Sequence, residues 1–193
     1  MKNLLILAIL FCSTAALFSQ DATKIEPAIL SRIDSTDSQN MVLIQTFEVH
    51  GTLDQVWEAY TTKVGWESWV APLAEVDFKI NGSIRTNYNK EGTIGDASTI
   101  VLHVVNFVPK KMITLQAELT QNFPEFMKED AEDLFNVIYF EETSSGTTKV
   151  TSYGIGYKKT EKYRNLMKFF ISGNEATYQK LISYIKTGTP TKF

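Results

Sequence analysis

The stretch that decides the fold is EKYRNLMKFFISGNEATYQKLISYIK, residues 161–186. Tyr163, Leu166, Met167, Phe170, Asn174, Tyr178, Leu181 and Ile185 recur at i, i+3, i+4 and i+7, the spacing of one helical face. The spacing predicts a long amphipathic helix that must cover something apolar. Gly173 falls in its middle and is expected to kink the helix or to let a strand approach closely.

What lies before that helix reads as strands. Thr147–Lys158 and Leu134–Glu142 flank the Ser144-Ser145-Gly146 turn, and Met112–Leu119 and Thr99–Val108 flank Pro109-Lys110-Lys111. Ser83–Asn89 returns from Asn81-Gly82, whose residues both tolerate positive φ and predict a two-residue hairpin. Val76, Phe78 and Ile80 alternate with Glu75, Asp77 and Lys79 and form the strand before it. Further back, Gly65 ends a helix that Thr52 caps and that buries Val56, Trp57 and Tyr60; Trp66–Val70 is a second short helix, stopped by Pro72. Met41, Leu43, Gln45, Phe47 and Val49 share one face of a first strand. The order predicts an α+β domain: a curved antiparallel sheet wrapped around the C-terminal helix, with two short helices after the first strand.

The ends are read differently. Lys2, the apolar run Leu4–Phe11 and the small residues Ser13–Ala16 have the layout of a secretory signal peptide over residues 1–20, too short to span a membrane. Residues 21–40 read as a polar linker with a helical turn near Ala28–Ile33, residues 41–187 as the domain and 188–193 as a C-terminal tail. An exported protein, periplasmic or secreted, with no stable membrane anchor after cleavage is the expectation. Cys12 is the single cysteine and would leave with the signal, so the mature chain has no thiol for a disulfide, a thiolate metal site or a nucleophile.

Composition narrows the function classes. Of 193 residues 44% are apolar, enough for a sizeable core, and the formal charge is −3, so no basic excess exists for nucleic acid. His50 and His103 are the only histidines and belong to no ligand-spaced cluster; neither a metal nor a cofactor is expected. The run Glu129, Asp130, Glu132, Asp133 reads as a solvated face.

Several motifs in order resemble a known family. Gln55-Val56-Trp57-Glu58-Ala59-Tyr60-Thr61, then Trp66 and Trp69-Val70-Ala71-Pro72, are similar to the opening of SRPBCC (START-like) proteins. Asn81-Gly82-Ser83-Ile84-Arg85 resembles their Gly-rich hairpin, and Phe107-Val108-Pro109-Lys110-Lys111-Met112-Ile113 their proline turn. Phe169-Phe170-Ile171-Ser172-Gly173-Asn174, followed by Tyr178-Gln179-Lys180-Leu181, is similar to their terminal helix. The heat-shock-ATPase-activator-homologue branch is the nearest, over about Met41–Lys186. The resemblance implies a helix-grip fold with a cavity between sheet and helix, and it places Trp69 and Tyr178 near that cavity. It fixes no activity, since this fold hosts carriers, cyclases and co-chaperones. The acidic segment Gln121–Asp133 departs from the short turn usual there and is a candidate lid.

Candidate ligand-binding residues follow. Gln45 and Asn174 interrupt apolar faces, so each buried amide requires a partner: a side chain, a water or a ligand. Trp66, Trp69, Phe78, Tyr88, Phe126, Tyr139, Tyr153, Phe170 and Tyr178 are candidates for an aromatic cavity wall. His103 is either a histidine on the outer sheet face or a base inside the cavity. No catalytic group stands out. The leading expectation is a binder of a small hydrophobic molecule, lipid-like or aromatic; an enzyme of cyclase, aromatase or hydrolase type and a protein-interaction module are the alternatives.

Overall fold

The computed structural model describes residues 28–144 and 146–193. The expected signal peptide, residues 1–20, therefore lies outside the described residues.

Two strands begin the fold, β1 (Ile29–Asp34) and β2 (Asn40–Val49). Part of the expected linker is thus a strand, paired antiparallel to β2 with Ser31 opposite Gln45. The physical reason is a period of two rather than of 3.6: Ile29 enters the core, Ser31 and Ile33 lie on the same side, and Leu30 and Arg32 face solvent.

Helices α1 (Leu53–Thr61) and α2 (Lys63–Trp69) follow. Thr52 caps α1 in a reciprocal box, its Oγ1 accepting from the Gln55 amide at 3.3 Å while Gln55 Oε1 accepts from the Thr52 amide at 2.9 Å. Thr62, not Gly65, ends α1, and Thr62 also caps α2 through the Gly65 amide. Gly65 lies inside α2, where a Cβ would fall 2.5 Å from the Ala59 carbonyl oxygen; it lets the two helices touch.

The sheet continues with β3 (Leu73–Val76), β4 (Ser83–Asn87), β5 (Ile100–Val108) and β6 (Met112–Ala117). After the short helix α3 (Glu125–Lys128) come β7 (Phe135–Ser144), β8 (Thr147–Lys158) and α4 (Glu161–Thr187). The expected Asn81-Gly82 two-residue hairpin is instead a longer connection over residues 77–82. Asp77 N donates to Ser83 O, Gly82 N to Lys79 O, and Asn81 N to Val104 O of β5. Asn81 takes the expected positive φ, 64°, but β3 has already ended, because Phe78 turns to pack edge-on against Trp57 and beside Phe107.

The eight strands of the described residues form one antiparallel sheet, ordered β1-β2-β8-β7-β6-β5-β4-β3. Six consecutive strands meander, and β2 closes against β8. The helix-grip architecture expected from the order of elements is the one found.

Helix α4 runs unbroken for 27 residues, roughly 40 Å, from the Thr160 cap to Gly188 in the left-handed region. Gly173 does not interrupt it and meets no strand; a Cβ there would have nothing within 4 Å. Two apolar clusters flank that point. Tyr163 and Met167 join Met41, Leu43, Met127 and Leu134 at one end. Tyr178 and Leu181 join Phe47, Tyr60, Trp69 and Phe140 at the other.

Candidate functional site

A cavity of about 680 Å³ lies between the two clusters, under Gly173. That volume is in the range of small-molecule sites. Register builds its floor: Thr86 pairs with Ile100 across β4 and β5, Leu102 with Ala117 across β5 and β6, and Leu115 with Asn136 across β6 and β7, and all six line it. Phe170, Gly173, Asn174, Thr177 and Tyr178 of α4 form the roof. The segment after β6 supplies an end wall through Leu119, Phe123 and Met127.

That wall is the acidic insert, and hydrogen bonds hold it on two sides. Asn122 Nδ2 and Gln121 Nε2 both donate to the Ala97 carbonyl, at 2.9 and 3.2 Å. Tyr163 Oη donates to Asp130 Oδ2 at 2.8 Å, and Lys158 Nζ reaches Asp133 at 2.8 Å. Burial and the Asp130 carboxylate together raise the Tyr163 phenol well above its ordinary pKa.

Trp66, Tyr88, Phe170, Asn174 and Tyr178, among the residues expected from sequence, meet at this cavity. Tyr88 and Phe169 stand at its rim, 59% and 70% exposed. The other expected residues lie elsewhere. Trp69 is buried in the core, its indole N–H donating to the Ala59 carbonyl at 2.9 Å, as Trp66 does to Tyr60 at 2.7 Å. These indoles satisfy carbonyls at the end of α1 that the helix leaves unpaired. Phe78 belongs to the Trp57–Phe107 aromatic group, and Phe126 packs edge-on against Tyr163. Tyr139 and Tyr153 pair edge-on at 5.8 Å on the other face of the sheet, reached by the strand alternation that buries Ile138 and Phe140. His103 is on that outer face too, half-exposed and 3.5 Å from Glu118. It is therefore no cavity base.

Gln45 and Asn174 turn out to be partners. Asn174 Nδ2 donates to Gln45 Oε1 at 2.7 Å, Gln45 Nε2 to Ser31 Oγ at 2.9 Å, and Ser31 Oγ to Glu175 Oε1 at 2.7 Å. The chain of bonds leaves α4, crosses β2 and β1 and returns to α4. Gln45 is 1% exposed and stands behind the cavity wall rather than on it. Ser31, Gln45 and Ser152 are cross-strand neighbours in β1, β2 and β8, a polar strip under the helix. Asn136 Nδ2 joins it by donating to Ser152 Oγ at 2.8 Å and to the Tyr153 carbonyl at 3.4 Å.

Asn136 and Ser31 were not among the sequence candidates. Asn136 carries the same signal as Gln45, a polar residue between Leu134 and Ile138 at period two. Ser31 carries only the weak alternation of β1.

Two buried phenols also line the cavity. Withdrawal from water pushes Tyr157 up to about 12, and burial raises Tyr178, partly offset by the Ser152 hydroxyl beside it. Both stay protonated at neutral pH. Among the described residues, no group of His, Cys, Asp and Glu is arranged to hold a metal ion, and no helix is long and apolar enough to cross a membrane.

The family follows from comparison. A profile described as activator of Hsp90 ATPase homolog 1-like protein matches residues 50–186. The chain belongs to that family. Solved structures share its fold at low identity. The Aha1 dimer of Colwellia psychrerythraea is 14% identical with a TM-score of 0.57, covering 76% of this chain and 97% of its own. CalU16 of Micromonospora echinospora is 12% identical with a TM-score of 0.59, covering 84% and 88%. NE0264 of Nitrosomonas europaea is 18% identical with a TM-score of 0.58, covering 76% and 95%. Among curated proteins, no sequence matches. This member keeps the helix-grip fold; its acidic end wall comes from the segment between β6 and β7.

Proposed function

We propose that this chain is an exported binding protein for a small hydrophobic molecule, lipid-like or aromatic, held between the sheet and α4. One observation carries the reading: the roughly 680 Å³ cavity under Gly173, walled mainly by aromatic and aliphatic side chains with polar groups among them. An interaction module needs only a filled interior. An enzyme running acid–base chemistry needs an ionisable group at the cavity, and among the described residues the lining offers only phenols, with burial raising Tyr157 and Tyr178. Burial of apolar ligand surface supplies affinity at about 25 cal/mol per Å² before association costs. Export rests on Lys2 and the Leu4–Phe11 run.

The test is Gly173→Phe. A side chain there has open space before it, and Gly173 itself lines the cavity. Native mass spectrometry of protein purified from its own host should show a copurifying small molecule in the wild type and none in the variant. Equal occupancy in both, or none in either, sinks the reading. N-terminal sequencing of the same wild-type material should begin between Ala15 and Ala22; an intact Met1 refutes export.

A further inference from the structure

Hydrogen-bond polarity is transmitted into this cavity from outside it. The Glu175 carboxylate can only accept, so Ser31 donates its hydroxyl proton there at 2.7 Å. Ser31 Oγ is then left to accept, and Gln45 must turn its Nε2 toward it, at 2.9 Å. That orientation presents Gln45 Oε1 to α4, where only the Nδ2 end of Asn174 can satisfy it, at 2.7 Å. That leaves Asn174 with its Oδ1 and one N–H over. Asn136 is set in the same sense by a different anchor. The Tyr153 carbonyl can only accept, so Nδ2 faces it and Ser152, again leaving Oδ1 over.

Neither Oδ1 is entombed. Among the described residues, Tyr60 Oη is the one buried side-chain polar atom without a partner, and both asparagines line the cavity. The cavity is therefore lined by amides whose direction the ligand cannot reverse: Asn136 and Asn174 leave Oδ1 over, as does Asn122, whose Nδ2 donates to the Ala97 carbonyl and to Thr120 Oγ1. The hydroxyls of Thr86, Tyr88, Ser98, Tyr157 and Tyr178 rotate to suit either polarity, and that of Thr177 is spent on the Gly173 carbonyl, so the amides decide.

Charge is the second restriction. Among the described residues, no Asp, Glu, Lys, Arg or His lines the cavity. A carboxylate or phosphate inside would face two carbonyl oxygens with no cation beside it, at full desolvation cost. The rise in the Tyr157 and Tyr178 phenols records the same penalty on negative charge.

We infer that the ligand is an uncharged hydrophobic molecule whose polar end carries a hydrogen-bond donor, a hydroxyl or an N–H, directed at Asn136 Oδ1 and Asn174 Oδ1. This deepens the cavity-binding reading and rests on it. An ionised carboxylate or phosphate group is disfavoured inside the cavity.

Three probes of one carbon frame test it: 1-hydroxypyrene, 1-methoxypyrene and pyrene-1-carboxylate, titrated by fluorescence in neutral buffer. The hydroxyl probe should bind about three- to tenfold tighter than its methyl ether, the scale of one buried hydrogen bond. The carboxylate should bind weakest. Asn136→Leu and Asn174→Leu, measured on folded protein, should each shrink the preference for the hydroxyl over the ether. Should either variant fail to fold, the wild-type series still decides. Equal binding of alcohol and ether, or tightest binding of the carboxylate, overturns the donor inference and leaves the cavity reading standing. Failure of all three to bind, or binding unchanged in Gly173→Phe, overturns the cavity reading and the inference with it.

Discussion

Replacing Asn174 by leucine isolates the link between α4 and the first two strands. Gln45 is 1% exposed, and its Oε1 has the Asn174 amide as its partner at 2.7 Å. Losing that donor leaves a buried carbonyl oxygen unsatisfied, which costs about 1–3 kcal/mol. Gln45→Leu is expected to cost less, because the Asn174 amide it abandons borders the cavity, where water can reach it. In the double variant two apolar groups replace both partners, and the loss should not exceed that of Asn174→Leu alone. The cycle should therefore return a favourable coupling of about 1 kcal/mol or more between the two residues in the wild type. The assay is urea denaturation. With a slope of about 2 kcal/mol per M, Asn174→Leu lowers the midpoint by about 0.5–1.5 M, and the double variant by no more. Additive losses, or an Asn174→Leu protein as stable as wild type, would refute the bond chain as a coupled unit and with it the polarity argument for the cavity.

Two further outcomes follow from local geometry. Gly156 has φ of 87°, and a Cβ there would fall 2.0 Å from the Asp133 carbonyl oxygen, so Gly156→Ala should destabilise the fold by more than about 1 kcal/mol in the same urea assay; an unchanged midpoint contradicts the close approach of the end wall to β8. The Asp96 carboxylate accepts from the Thr93 and Ser98 amides and from Asn87, and those bonds hold its pKa below the ordinary aspartate value. A depressed folded pKa contributes stability that is present above the unfolded value, about 3.9, and is lost as pH falls through the folded one. Hydrogen exchange at Thr93 and Ser98 should therefore quicken below about pH 4, beyond the intrinsic trend, in wild type, and Asp96→Asn should flatten the dependence; identical profiles would remove Asp96 as the holder of that loop.

The sequence by itself determined the order of elements, the antiparallel meander and the covering helix, because each rests on a local period. Tyr163 through Ile185 repeat at helical spacing whatever they pack against, and Thr52 can cap α1 from three residues away. It also marked Gln45 and Asn174, since a polar residue on a dry face is visible in one strand or one helix alone. What it could not contain is which dry face belongs to which neighbour. Tyr139 and Tyr153 read as wall and lie outside; Trp69 reads as wall and lies in solid core. Ser31 read as linker, because a six-residue edge strand has too few alternations to rise above its polar surroundings until β2 pairs with it. Only the tertiary structure placed Ser31, Gln45 and Ser152 side by side, set Asn174 over them, and left the gap at Gly173. Register across strands distant in sequence is a property of the sheet, and an amide's direction is a property of the bonds around it.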